Sequence, residues 1–136
     1  MIQIPTSIST EFVLDTNAAI DFLNKPAIAA AKVGAAAKVS VPITVLGELF
    51  YGAEKSKKVS ANLLKVEDLI HRTRVLPCDL ETARRYGHIR HFLRLKGRPI
   101  PHEDMWIAAA ALQHNLPLLT ADTHFDDVEN LQVVRL

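Results

Sequence analysis

Four carboxylates in this 136-residue chain stand in separate segments, each beside a hydrophobic run. They are Asp15 in Phe12-Val-Leu-Asp-Thr-Asn, Glu48 in Ile43-Thr-Val-Leu-Gly-Glu-Leu-Phe, Asp104 in His102-Glu-Asp-Met-Trp-Ile-Ala-Ala, and Asp122 in Leu118-Leu-Thr-Ala-Asp. A carboxylate next to a core is costly unless something neutralises it. Four brought together repel, and a hard divalent cation such as Mg²⁺, which prefers oxygen ligands, relieves that repulsion. The chemistry to expect of such a set is metal-assisted attack on a phosphodiester.

Each acid also has a structural reading. Asp15, followed by Thr16-Asn17, can cap a helix, and a cap leaves one oxygen free for other work. Ile43, Val45, Leu46, Leu49, Phe50 and Ala53 form one apolar arc on a helical wheel, with Glu48 just outside it. A solvated border position is therefore open to Glu48, although Gly52 one turn on leaves room for an approaching group. Glu103 and Asp104 both suit the first turn of a helix, where acids complement the dipole. Asp104 precedes Met105-Trp-Ile-Ala and is the better ligand, with Glu103 its solvated neighbour. Asp122 is nearer a strand end than Asp126 or Asp127. Few histidines lie near these acids, so zinc is not suggested, and His102 reads as a rim or loop residue.

The elements that must position these acids alternate. After a loose lead-in over residues 1–10, Glu11-Phe-Val-Leu reads as a strand and Asn17 to Leu23 as a short helix closed before Pro26. Ala27 to Ala37 is an alanine-rich helix with Lys32 and Lys38 facing solvent, and Lys38-Val-Ser-Val is a second strand. Pro42 opens a helix that runs to about Glu54. Ser60 or Asn62 caps the next, extending to about His71. Arg74-Val-Leu-Pro is a third strand, Asp79 caps a long helix from Leu80 to Lys96, and Gly97 stops it. Glu103 to His114 is a further helix, Leu116-Pro-Leu-Leu-Thr a fourth strand and Leu131-Gln-Val-Val a fifth. Alternation of this kind implies right-handed crossovers and a parallel sheet covered on both faces. Ligands in such sheets bind at the carboxyl ends of the strands, where Asp15 and Asp122 both fall.

The bulk composition sets bounds. A hydrophobic fraction of 49% supports one core and excludes a disordered chain. Net charge is +1, so the chain is not globally polybasic. Every arginine except Arg135 lies between Arg72 and Arg98, and acids dominate after Pro99, which suggests a positive rim beside a negative pocket. The basic stretch could position an RNA backbone or be an ordinary solvated face. Tyr51 could stack on a base, and Trp106 reads as core. The single cysteine, Cys78, excludes an intramolecular disulfide, reads as a small buried hydrophobe and suits a reducing cytosol. No secretory signal is visible, and the longest apolar run, Met105 to Leu112, is far short of a membrane span. A cytoplasmic location without membrane contact is the expectation.

Leu14-Asp-Thr-Asn after a strand, Glu48-Leu-Phe-Tyr-Gly-Ala on a helix, Gly97-Arg-Pro-Ile-Pro-His-Glu-Asp-Met-Trp-Ile-Ala-Ala, and Leu119-Thr-Ala-Asp before Phe125 together resemble a PIN domain, in particular the VapC-type toxins of VapBC toxin–antitoxin pairs. The resemblance covers about Glu11 to Val134. It implies a single PIN-like domain over residues 1–136, a three-layer α/β/α sandwich around a parallel sheet of four to five strands. It also implies a Mg²⁺-dependent endoribonuclease in which Mn²⁺ can substitute. By motif, Asp15 and Asp104 would be the principal metal ligands, Glu48 and Asp122 would complete the catalytic acidic cluster, and Thr16, Asn17 and Thr120 would support it. RNA would be the substrate, a VapB-type antitoxin the inhibitor, and a homodimer or toxin–antitoxin hetero-oligomer the assembly. The segment Pro101-His102-Glu103 is more polar than the family's pattern.

Two other readings compete. A catalytically silent PIN-like module would use the acidic pocket only to bind RNA or antitoxin. A phospho-aspartate phosphatase-like enzyme would use Asp15 as nucleophile, but would place a second acid two residues on, where Asn17 stands.

Overall fold

Residues 10–34 and 37–136 are described by a computed structural model. The loose lead-in expected over residues 1–10 falls outside them except for Thr10. Five strands, β1 (Glu11–Leu14), β2 (Lys38–Pro42), β3 (Arg74–Leu76), β4 (Leu118–Thr120) and β5 (Val133–Arg135), form one sheet in the order β3-β2-β1-β4-β5. Every adjacent pair is parallel. The helices are α1 (Thr16–Asn24), α2 (Pro26–Val33), α3 (Ile43–Glu54), α4 (Val59–Arg72), α5 (Leu80–Leu95) and α6 (His102–Gln113), with a 3₁₀ turn at Thr123–Asp127.

β1 is central, and Phe12, Val13 and Leu14 are all buried, as a strand covered on both faces requires. Right-handed crossovers put α1 to α4 over one face and α5 with α6 over the other. The packing agrees: α1 touches α2, α3 and α4, while α5 packs along α6. Helix α6 buries Ala108, Ala109, Ala110 and Ala111 in succession, and their small side chains let its backbone approach the core closely. The chain advances from β1 to β2 and β3 on one side, then returns to β4 and β5 on the other. The order therefore reverses between β1 and β4, and a crevice opens there at the carboxyl ends of the strands.

Several local expectations are corrected. The alanine-rich helix stops at Val33, where Gly34 takes a positive φ of 95°, short of Ala37. Pro42 ends β2, pairs with Leu76 and sits at the N-cap of α3, one position before the first turn expected for it. Neither Ser60 nor Asn62 caps α4, which starts after Lys58; the Asn62 amide instead donates to Ser56 Oγ at 2.8 Å. Asp79 does cap α5, accepting from Thr82 N–H at 3.2 Å, and Gln113 of α6 also donates to it at 2.8 Å. Gly97 follows α5 with φ 68°, the left-handed conformation that a helix stop favours. Strands four and five begin two residues later than expected, at Leu118 and Val133.

Cys78 is exposed, not buried, because it lies in the irregular stretch between β3 and α5. Trp106 is half-buried and stacks on Tyr86 of α5 at 4.0 Å between ring centroids, so it belongs to the α5–α6 seam and not to the closed core. Among the described residues no helix is long and apolar enough to cross a membrane.

Candidate active site

Asp15 follows the last residue of β1, buried at 4% exposure. Its Oδ1 accepts the Ala18 N–H at 2.8 Å, capping α1, and its Oδ2 accepts the Thr120 hydroxyl from the end of β4. The helix cap and the inter-strand contact thus use different oxygens of one carboxylate. Burial pushes its pKa up; the Thr120 and Ala18 hydrogen bonds oppose this, and the negative charges of Asp122 and Asp21 add to it.

Asp122 stands two residues beyond β4. Its own N–H donates to Thr120 Oγ1 at 2.9 Å, so Thr120 joins Asp122 backbone and Asp15 side chain in one chain of hydrogen bonds. Its Oδ1 accepts the His124 N–H at 2.9 Å, and Arg135 of β5 donates to its carbonyl at 2.8 Å. Asp104 sits in the first turn of α6, half-buried, beside the buried Met105. Burial is the main cause raising its pKa, followed by repulsion from Asp122; His124 works the other way, and Asp15 adds a further negative charge. Asp15, Asp104 and Asp122 therefore feel one another at a single crevice, although strands and a helix far apart in sequence carry them.

The tightest group is Asp104, Asp122 and His124, whose candidate ligand atoms all lie within 4.8 Å of one another. His124 Nδ1 is 3.0 Å from Asp122 Oδ2 and 3.5 Å from Asp104 Oδ2. Sequence reasoning missed His124. The available signal was its position two residues after Asp122, the reach of a short polar turn.

Glu48 is exposed on α3. It lines a groove of about 400 Å³ between α1, α3 and α4, together with Thr16, the residue next to Asp15. It is outside the tight group. Asn17 is exposed in the first turn of α1, Thr16 is half-buried, and Thr120 is fully buried. Glu103 is exposed, as expected of a solvated neighbour.

The basic stretch does not form one rim. Arg74 opens β3 and donates to Glu11 at 3.0 Å, and Arg72 ends α4 two residues before it, so both lie at the amino edge of the sheet, opposite Asp15. Arg84 and Arg85 pair with Glu81, and Arg98 faces Asp127 at 3.9 Å. Among the described residues, no lysine or arginine side chain forms an ion pair with Asp15, Asp104 or Asp122.

Converging oxygens, raised carboxyl pKa values and the lack of a lysine or arginine counter-charge fit a divalent cation. Fold and site together define a class: a parallel α/β domain with an acidic, cation-fitting pocket at its switch point. The chain belongs to the PIN-domain family, whose sequence profile matches residues 12–131. It is 36% identical over 125 residues to a tRNA(fMet)-specific endonuclease VapC of Shigella flexneri, an alignment covering 90% of this chain and 95% of that protein. A protein of the same name from Salmonella typhimurium is 37% identical, covering 81% and 85%. Among solved structures, a DNA-bound VapBC complex from Salmonella typhimurium superimposes with a TM-score of 0.83 at 33% identity, covering 91% of this chain and 96% of that one. VapBC-1 from nontypeable Haemophilus influenzae gives 0.82 at 30% identity, covering 93% and 98%.

Proposed function

We propose that this protein is a divalent-metal-dependent endoribonuclease, the toxin of a type II toxin–antitoxin pair, acting in the cytoplasm as one PIN-like domain. The observation that carries this reading is the meeting of Asp15, Asp104 and Asp122 at one crevice, linked through Thr120 and His124, with no lysine or arginine among the described residues paired to their carboxylates. Relatives named as endonucleases, and neighbours solved as VapBC complexes, support it.

Asp15, Asp104 and Asp122 hold the metal, with Mg²⁺ the default ion and Mn²⁺ able to replace it. Glu48 contributes from the groove side, where it orders water or a second ion. Thr120 fixes Asp15 and, through the Asp122 N–H, the turn that carries Asp122. Thr16 and Asn17 line the approach in the first turn of α1. When bound, the ion supplies an activated water and offsets charge developing at phosphorus. The chain's part is to orient the carboxylates before substrate arrives, which removes reorganisation from the reaction step.

The groove beside Glu48 is walled by Ile20, Leu23, Leu49, Tyr51 and Val66. An apolar segment of a VapB-type antitoxin lying there would block access from the α1 side. The test is cleavage of an RNA panel by purified protein. Cleavage should require a divalent ion, stop with chelator, fail in Asp15→Asn and Asp104→Asn, and stop on adding the cognate antitoxin. Chelator-resistant cleavage that persists in both variants would refute the assignment.

A further inference from the structure

His124 bears on the balance between Mg²⁺ and Mn²⁺ in that pocket; any role for this residue at the ion rests on the metal pocket just proposed. The same turn that fixes Asp122 aims the imidazole. The His124 N–H holds Asp122 Oδ1 at 2.9 Å, while Nδ1 of its ring meets Asp122 Oδ2 at 3.0 Å and Asp104 Oδ2 at 3.5 Å. Buried Phe125 roots the 3₁₀ turn, and Arg135 clamps both sides of it, at the Asp122 carbonyl (2.8 Å) and Asp126 Oδ1 (2.5 Å). The turn that carries the ring is therefore fixed by groups outside the pocket, and the half-exposed imidazole lies against both carboxylates.

We infer that His124 is a nitrogen ligand of the pocket's cation, and that it shifts the site's preference from Mg²⁺ toward first-row transition ions. Mg²⁺ keeps its waters and takes oxygen donors, whereas imidazole suits transition ions far better. With Asp15, Asp104 and Asp122 alone the pocket would be an all-oxygen site, of the kind that suits Mg²⁺. Adding one imidazole makes it a mixed oxygen–nitrogen site.

Mn²⁺ itself is the probe, because it is paramagnetic. Pulsed electron-spin-echo spectra of the full chain loaded with Mn²⁺ should show nitrogen modulation from a directly bound imidazole. The modulation should persist in His102→Ala and vanish in His124→Ala and His124→Asn. The Mg²⁺ concentration that displaces half the Mn²⁺ should fall about tenfold or more in the His124 variants, the lower end of the loss known even for residues behind a ligand. Bound Mn²⁺ without nitrogen modulation in the unmutated chain overturns the inference whether or not the variants fold. So does modulation that survives in the His124 variants, or an equal loss of both ions, which would make His124 only a structural clamp. Failure of the unmutated chain to bind Mn²⁺ at all would sink the metal pocket itself, a distinguishable result.

Discussion

The two ends of β1 treat a carboxylate in opposite ways. Glu11 opens the strand and Asp15 follows its last residue, about 13 Å away at the rise of an extended chain. Glu11 receives the Ser40 hydroxyl at 2.6 Å and the Arg74 guanidinium at 3.0 Å. Asp15 receives one N–H and one hydroxyl, and the charges that act on it are the negative Asp122 and Asp21. The fold has arginines and uses one where an acid only joins strands. At the crevice Arg135 reaches only the backbone carbonyl of Asp122, and among the described residues no lysine or arginine pairs with the carboxylates of Asp15, Asp104 or Asp122, a setting that fits a divalent cation.

The sharpest way to break this contrast is to neutralise an acid at each end. Asp104→Asn should lower single-turnover RNA cleavage by roughly three orders of magnitude, since losing an ion-holding carboxylate forfeits several kcal/mol at the transition state. Glu11→Gln should leave cleavage unchanged. Equal losses in the two variants would abolish the distinction.

Next in size is stabilisation by metal. At a hundredfold excess over its dissociation constant, a divalent ion should stabilise the protein by about 2.7 kcal/mol. Thermal unfolding with and without chelator reads this out, and the shift should shrink sharply in Asp104→Asn.

A Thr120→Val change should cost about 2 kcal/mol, because it removes a hydroxyl bonded to a buried carboxylate. Denaturant unfolding measures that loss, and reduced metal affinity should accompany it.

The pH dependence is subtler. Asp15 and Asp104 have raised pKa values, so the folded chain holds protons that the unfolded chain has already lost. Their contribution to stability therefore falls as pH rises from the ordinary carboxylate value of 3.8 through their raised values. Asp79 and Glu81, with lowered values, act in the opposite sense. Comparison with Asp104→Asn isolates the effect: without metal, the variant should gain on the unmutated chain as pH rises across that window. The smallest effect belongs to Arg74→Ala, about 1 kcal/mol or less for a surface pair, with cleavage unaffected.

Much of the molecule is legible in the chain. Parallel strands buried on both faces read as short apolar runs, and Asp15 and Asp122 fall at one edge because each follows such a run. Asp79 is visible as a cap because the turn it makes is local. The features that escape a reading of the sequence are non-local or marginal. Pairing with Leu76 keeps Pro42 in the strand, so α3 starts at Ile43. Trp106 reads as core from its own segment because its neighbour Tyr86 comes from another helix. The arginine-rich stretch looks like one rim because charge along the chain says nothing about which edge of a sheet each residue reaches.

By itself the sequence determined the alternation of strands and helices, the parallel sheet and the candidate acids, since these follow from periodicity, caps and strand ends that act over a few residues. Only the tertiary structure decided which acids meet. The strand order puts β4 beside β1, bringing the Thr120 hydroxyl onto Asp15, and a 3₁₀ turn anchored by Phe125 and Arg135 swings His124 between Asp104 and Asp122. Those contacts span up to 105 residues of chain, and no local preference encodes a distance of that kind.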